Sequence, residues 1–169
     1  MHGFLDNIQR LALYIKNQRN PLIRLIRDSD VMNYWLVKFA PFRYSWQEIL
    51  RNGKFEIYSV RNPQARNNLK AMQLGDQVLF YHSQESNCIM GKMQVTVTAH
   101  QDPTTDDPKW LSVTFEPIAS FEKPISLSQI KEVKELAHIG LVKQPRLAVM
   151  PLSESDFEAI ESLQNQLTN

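Results

Sequence analysis

YSVRNPQARNNLKAMQLGDQVLFYHS, residues 58–83, sets a helix signal directly ahead of a strand signal. The side-chain oxygen of Asn62 can cap a helix, and Pro63 then takes the first helical position, where a missing N–H costs nothing. Good helix formers run from Gln64 to Met72. Gly75 is the expected stop, because glycine adopts the left-handed conformation that ends helices. Beyond it Val78, Phe80 and His82 alternate with Leu79, Tyr81 and Ser83, the pattern of a strand covered on both faces.

Towards the N-terminus, Tyr34 to Phe39 is aromatic and β-branched and is closed by Ala40-Pro41, which predicts a buried strand. Ser45-Trp46-Gln47-Glu48 fits a capping box, with Ser45 and Glu48 each bonding the other's backbone amide, and opens a short helix reaching Asn52-Gly53. Phe55 to Val60 reads as an extended segment. Towards the C-terminus, Cys88 to Ala99 is a long strand and Gln101 to Lys109, with two Pro and three Asp, is a loop. Trp110 to Ile118 alternates again. Pro124 is expected to open a loop, Ser126 or Ser128 to cap a helix, and Arg146 to Met150 to form a last strand ended by Pro151. Ser153 then caps a closing helix that turns Phe157, Ile160 and Leu163 inward. Strands and helices interleave irregularly, without repeated βαβ units, so the expectation is an α+β domain on a curved, partly closed sheet.

A chain of 169 residues supports one ordinary domain with its own core. Residues 1–31 hold five Lys/Arg and three Asp, with Ile8, Leu11, Ala12 and Ile15 at helical spacing and Pro21 breaking the pattern. They lack a continuous apolar core and a small-residue cleavage site, which argues against a secretory signal. The expectation is a basic extension, poorly ordered or a mis-assigned start, followed by the domain over 32–169; a short helix packed on that domain is the alternative. Removing residues 1–31 leaves fourteen Lys/Arg against fifteen Asp/Glu, about −1, so tight sequence-independent binding to long nucleic acid is disfavoured. Cys88 is the single cysteine, which excludes an intramolecular disulfide and a thiolate metal cluster and suits a reducing bacterial cytoplasm. No apolar run is long enough to span a membrane.

His82-Ser83 sets an imidazole beside a hydroxyl, but neighbouring strand residues point to opposite faces and cannot act as base and nucleophile. His2, His82, His100 and His138 show no metal-ligand spacing, and the five glycines are isolated, so no phosphate loop is present. An aromatic set remains: Tyr34, Trp35, Tyr58, Phe80, Tyr81 and Trp110. Buried Tyr and Trp need partners for their polar groups, so several together suggest a half-open pocket. Arg61 and Asn62 at a helix start, with Arg66 one turn on, suit a phosphate or a base edge.

Three stretches carry a resemblance: Tyr34-Trp35-Leu36-Val37-Lys38, the run VRNPQARNNLKAMQLGDQVLFYHS over 60–83, and Pro145-Arg146-Leu147-Ala148-Val149-Met150-Pro151. Together they resemble the EVE domain family over roughly residues 32–163. The resemblance implies a PUA-like fold related to YTH domains, a pseudo-barrel with surrounding short helices, that receives a modified nucleobase in an aromatic-lined pocket. Carried over by position, the pocket residues are Trp35, Lys38, Tyr58, Arg61, Asn62, Tyr81, Ser83 and Trp110, and Arg61, Arg66 and Arg146 face the nucleic-acid backbone. The base would lie between the rings of Trp35 and Tyr58, its edge bonded by Ser83, Asn62 or backbone groups. The chain departs from the family at Tyr58, usually Trp, at Ser59, usually Gly, and at Pro63, usually Tyr. The expected protein is a monomeric, non-enzymatic module that needs no cofactor or metal, stays off membranes and takes a short modified DNA or RNA segment. The rival readings are a small-molecule-binding or nucleotide-processing enzyme using Tyr81, His82 or Lys38, and an accessory domain with a degenerate pocket.

A domain near charge −1 makes few phosphate contacts. The slope of log affinity against log salt for a short oligonucleotide is expected to correspond to about one to three phosphates, and a steeper slope would show a basic surface recruited from elsewhere.

Overall fold

Every side chain from Val78 to His82 is buried, so the strand that holds them, β3 (Gln77–His82), lies inside a sheet covered on both faces. The computed structural model of the chain describes residues 31–168; apart from Val31, the expected extension over 1–31 lies outside the described residues. β1 (Tyr34–Phe39) runs parallel to β3, from Tyr34 opposite Gln77 to Phe39 opposite His82. β4 (Cys88–Gln101) runs antiparallel on its other side. With β2 (Phe55–Ile57), β5 (Leu111–Ser126) and β6 (Val149–Leu152) they form a six-stranded sheet in the order β2-β5-β4-β3-β1-β6, which does not close into a barrel. Among the described residues the helices are α1 (Trp46–Asn52), α2 (Pro63–Ala71), α3 (Leu127–Glu132), α4 (Gly140–Lys143) and α5 (Glu154–Thr168), with one 3-10 turn at Lys134–Leu136. The fold is α+β, as expected.

Strand alternation puts Trp35, Val37 and Phe39 on one face with Val78, Phe80 and His82. There Phe80 stacks on Trp46 of α1 at 5.4 Å and meets the edge of Phe55 at 5.6 Å. The opposite face carries Tyr34, Leu36, Lys38, Leu79 and Tyr81. There α5 docks: the Tyr34 and Phe157 rings lie 4.7 Å apart and Lys92 pairs with Glu161.

Local signals account for most helix starts. The Asn62 side chain accepts the Ala65 N–H at 3.0 Å with Pro63 next in line, and Ser126 forms a full capping box with Gln129. Ser153 accepts the Asp156 N–H at 3.1 Å while Asp156 accepts that of Ser153 at 3.0 Å. Four expectations need correction. Ser45 precedes α1 but makes no capping bond to the helix backbone; its hydroxyl goes to Gln47 at 3.1 Å. Gly75 is not the cap of α2, which ends at Ala71 with Met72 already extended. Its φ of 82° serves the turn into β3, where its N–H donates to the Val95 carbonyl at 2.8 Å. Pro124 opens no loop, because β5 runs on to Ser126: β2 pairs β5 only from Val113 to Phe115, so the proline beyond that forfeits no bond on the open side. Pro151 lies inside β6, an edge strand paired with β1 alone, and Arg146 to Ala148 precede the strand.

Gly91 pairs with Phe80 on the face that receives Trp46. A Cβ there would sit 2.5 Å from Trp46 Cζ2 and closer still to the Ala119 carbonyl oxygen. Gly91→Ala is therefore expected to destabilise by about 1–3 kcal/mol through overpacking, read as a lower urea midpoint at unchanged m-value.

Candidate nucleic-acid interface

Because β1 and β3 are parallel neighbours, the chain must cross over between them, and residues 40–76 do so while carrying α1, β2 and α2. Its first turn leaves β1 at Ala40, whose carbonyl accepts the N–H of Arg43 at 3.0 Å and of Tyr44 at 3.1 Å. Tyr44 then anchors a run of edge-on rings, 4.9 Å from Phe39, 4.7 Å from Phe55 and 5.7 Å from Tyr58. The Arg43 guanidinium lies 5.7 Å from the Phe39 ring and 5.5 Å from the Tyr44 ring, and donates to the Tyr58 carbonyl at 3.2 Å. Tyr58 itself is 36% exposed, so one aromatic of the expected set is open to solvent.

Ser59 follows with φ 58°, in the left-handed region that non-glycine residues rarely occupy. A buried carboxylate holds it there. Asp102 accepts the Ser59 N–H at 2.8 Å and Arg61 Nη1 at 2.7 Å on one oxygen, and on the other the Thr104 N–H at 2.8 Å and hydroxyl at 2.6 Å. Burial, the largest single influence, pushes this carboxyl up. The donors of Arg61, Thr104 and Ser59 together outweigh it and hold the group well below the usual carboxylate range.

Arg61, fixed in this way, lies 5.1 Å from the Trp110 ring; Arg66 lies at 5.7 Å and Lys109 at 5.0 Å from the same ring. Lys109 pairs with Asp107 at 2.9 Å, and among the described residues no carboxylate pairs with Arg66, whose guanidinium bonds only Asn67. Three cations against two carboxylates leave a modest positive excess around one indole.

The structure thus brings Arg61, Arg66 and Trp110 together at the start of α2, beside the exposed Asn62, and connects them through Ser59 to Tyr58. Trp35 is 6% exposed and donates its indole N–H to Asp76 at 2.9 Å, so it is a fixed wall of the core. Lys38 and Tyr81 share a register position on the opposite face from Trp35. The Lys38 ammonium donates to the Pro145 carbonyl, burial lowering its pKa, and the buried Tyr81 phenol is pushed up to about 12 by that burial. Ser83 is half-buried just past β3, its N–H on the Phe39 carbonyl at 2.9 Å, and Arg146 is exposed ahead of β6. His82 points inward, its Nε2 taking the Trp46 N–H at 3.2 Å. Sequence reasoning missed Asp102, Asp76, Arg43 and Lys109. The run Asp102-Pro103-Thr104-Thr105, a turn sequence facing a loop arginine, was the one available hint.

A family model described as EVE domain matches residues 33–163. The chain is similar to thymocyte nuclear protein 1 of Mus musculus, 31% identical over 198 aligned residues that cover 94% of this chain and 86% of the relative. Its fold is similar to that of human THYN1 protein, solved in complex with 5-methylcytosine-containing DNA, with TM-score 0.73 and 26% identity over 78% of this chain and 97% of that one. A YTH domain of Zygosaccharomyces rouxii, solved in complex with N6-methyladenosine RNA, shares the fold alone, with TM-score 0.53 and 13% identity over 82% and 90% of the two chains. The architecture is accordingly PUA-like. No helix among the described residues is long and apolar enough to cross a membrane.

Asp102 generates a pH-dependent expectation. Its folded pKa lies below the unfolded value of about 3.9, so its contribution is complete above that pH and is lost as pH falls towards the folded pKa. Asp102→Asn is expected to cost about 1–3 kcal/mol near neutrality, with the gap in melting temperature from the parent narrowing below about pH 4. A gap independent of pH would assign the loss to shape and not to charge.

Proposed function

This chain belongs to the EVE domain family, and from that premise we propose that residues 32–169 form a non-enzymatic module that accommodates a modified nucleobase of a short DNA or RNA segment. The observation that carries the reading is the likeness to the human relative solved with 5-methylcytosine-containing DNA, which extends over 97% of that chain. In this reading the base stacks on the open ring of Tyr58, with Trp35 as the fixed wall and Ser83 or Asn62 bonding its edge. Arg61, Arg66 and Trp110 hold the adjoining backbone, and the exposed Arg146 adds a cation ahead of β6.

Several commitments support binding over turnover. The Tyr81 phenol is buried away from any approaching substrate, Lys38 is engaged by a carbonyl and His82 by the Trp46 amide. An aromatic stack contributes about 1–3 kcal/mol and a buried methyl about 0.8 kcal/mol. A methyl alone therefore gives less than about tenfold discrimination. Sharper selectivity requires a polar group that the wrong base leaves unpaired. The module would act as a monomer without cofactor or metal, in a bacterial cytoplasm.

The test is an anisotropy titration, at stated salt, against oligonucleotides carrying 5-methylcytosine, 5-hydroxymethylcytosine or N6-methyladenine and their unmodified counterparts. The best modified ligand is expected to lose about 1–3 kcal/mol of affinity with Tyr58→Ala and about 0.5–1.5 kcal/mol with Ser83→Ala, both variants folding normally. Equal binding by parent and variants, or no preference for any modified base, overturns the reading.

A further inference from the structure

We infer that Phe42 is a wedge that fills the gap left in a duplex when the modified base swings out to Tyr58, so that the preferred ligand of the site is double-stranded. The inference rests on the modified-base reading above. Among the described residues Phe42 is the most exposed large apolar side chain, at 75%. Isolated exposed apolar residues are ordinary, and Leu50 on α1 and Val97 on β4 need no role. Phe42 differs from them in where it stands and in how its neighbours are held.

Ala40 accepts two backbone N–H groups, from Arg43 and Tyr44, and so fixes the turn that presents Phe42. The two side chains that follow Phe42 are both engaged with neighbouring rings. Arg43 lies over the rings of Phe39 and Tyr44 and bonds the Tyr58 carbonyl, and Tyr44 packs against Phe55 and Tyr58. Phe42 has no ring partner among the described residues, so a rigid turn braced against Tyr58 holds out a single bare aromatic ring.

Chemistry explains what such a ring is for. A base can reach Tyr58 from a duplex only by leaving its stack, and the vacated slot exposes two base faces to water. Apolar side chains inserted at such steps replace the lost stacking. A pre-ordered turn makes the insertion with little loss of conformational freedom. The Arg43 guanidinium beside it rests on two rings, so the wedge approaches a polyanion next to a cation. A single strand has no such slot. If Phe42 were instead a platform for a flanking base, it would serve single and double strands alike.

The experiment titrates the full chain, as parent, Phe42→Ala and Phe42→Leu, against the best modified base of the panel in single-stranded and duplex form. The wedge requires Phe42→Ala to weaken duplex binding about tenfold and single-strand binding less than about twofold, with Phe42→Leu close to the parent on both. Unchanged thermal unfolding of both variants confirms that the turn is intact. Equal loss on the two forms, or none on the duplex, overturns the wedge and leaves the modified-base reading standing. A parent that prefers no modified base in either form removes that reading, and the wedge with it.

Discussion

Two parallel strands cannot be joined by a tight turn, and this topological demand at β1 and β3 organises the molecule. The crossover it forces must leave the C-terminal end of β1 and return to the N-terminal end of β3. Asp76, fully buried, secures the return. Its carboxylate takes the Trp35 indole N–H at 2.9 Å, the Gln73 N–H at 2.8 Å and the Asn33 N–H at 3.3 Å, joining the start of β1 to the last turn before β3. Donors of this kind replace the water a buried carboxylate loses. Once both ends of the crossover are fixed, its outward residues, from Phe42 through Tyr58 to Arg66, are held on one side of a rigid sheet.

A second buried acid, Asp102, does for the site what Asp76 does for the fold. It reaches across from the loop between β4 and β5 to a stretch 41–43 residues earlier and stabilises a backbone conformation at Ser59 that would otherwise be unfavourable. At that position stands a serine whose amide and hydroxyl are both bonded. The charge that Asp102 contributes also neutralises Arg61, leaving Arg66 as the cation around Trp110 without a carboxylate among the described residues. Weak, local attraction for phosphate follows, consistent with a domain whose overall charge is near zero.

What could be read from the sequence was local. Asn62-Pro63, Ser126 with Gln129 and Ser153 announce helix starts because the bonds that make them span three residues. The alternation in Val78 to His82 announced a strand buried on both sides. Elements were misplaced where a distant partner decided the outcome: Pro124 and Pro151 stay within strands because each lies on an open edge, and Gly75 turns towards Val95 because β4 is there. The site divided along the same line. Arg61, Arg66 and Trp110 lie together at the start of α2, whereas Trp35 and Tyr81 belong to opposite faces, a distinction that strand register alone settles. Asp102 and Asp76 looked like loop acids because their partners lie some forty residues away in sequence.

Among the described residues the sheet ends in two short edge strands, and their lengths matter to how copies of this protein meet. β2 offers three residues and β6 four, one of them Pro151, which has no N–H to give an incoming strand. A stray chain trying to extend the sheet at β6 would find too short a template and a missing donor. Such margins resist the strand-by-strand growth that leads to aggregates. Copies that meet at high local concentration are thereby protected at this edge from sticking to one another.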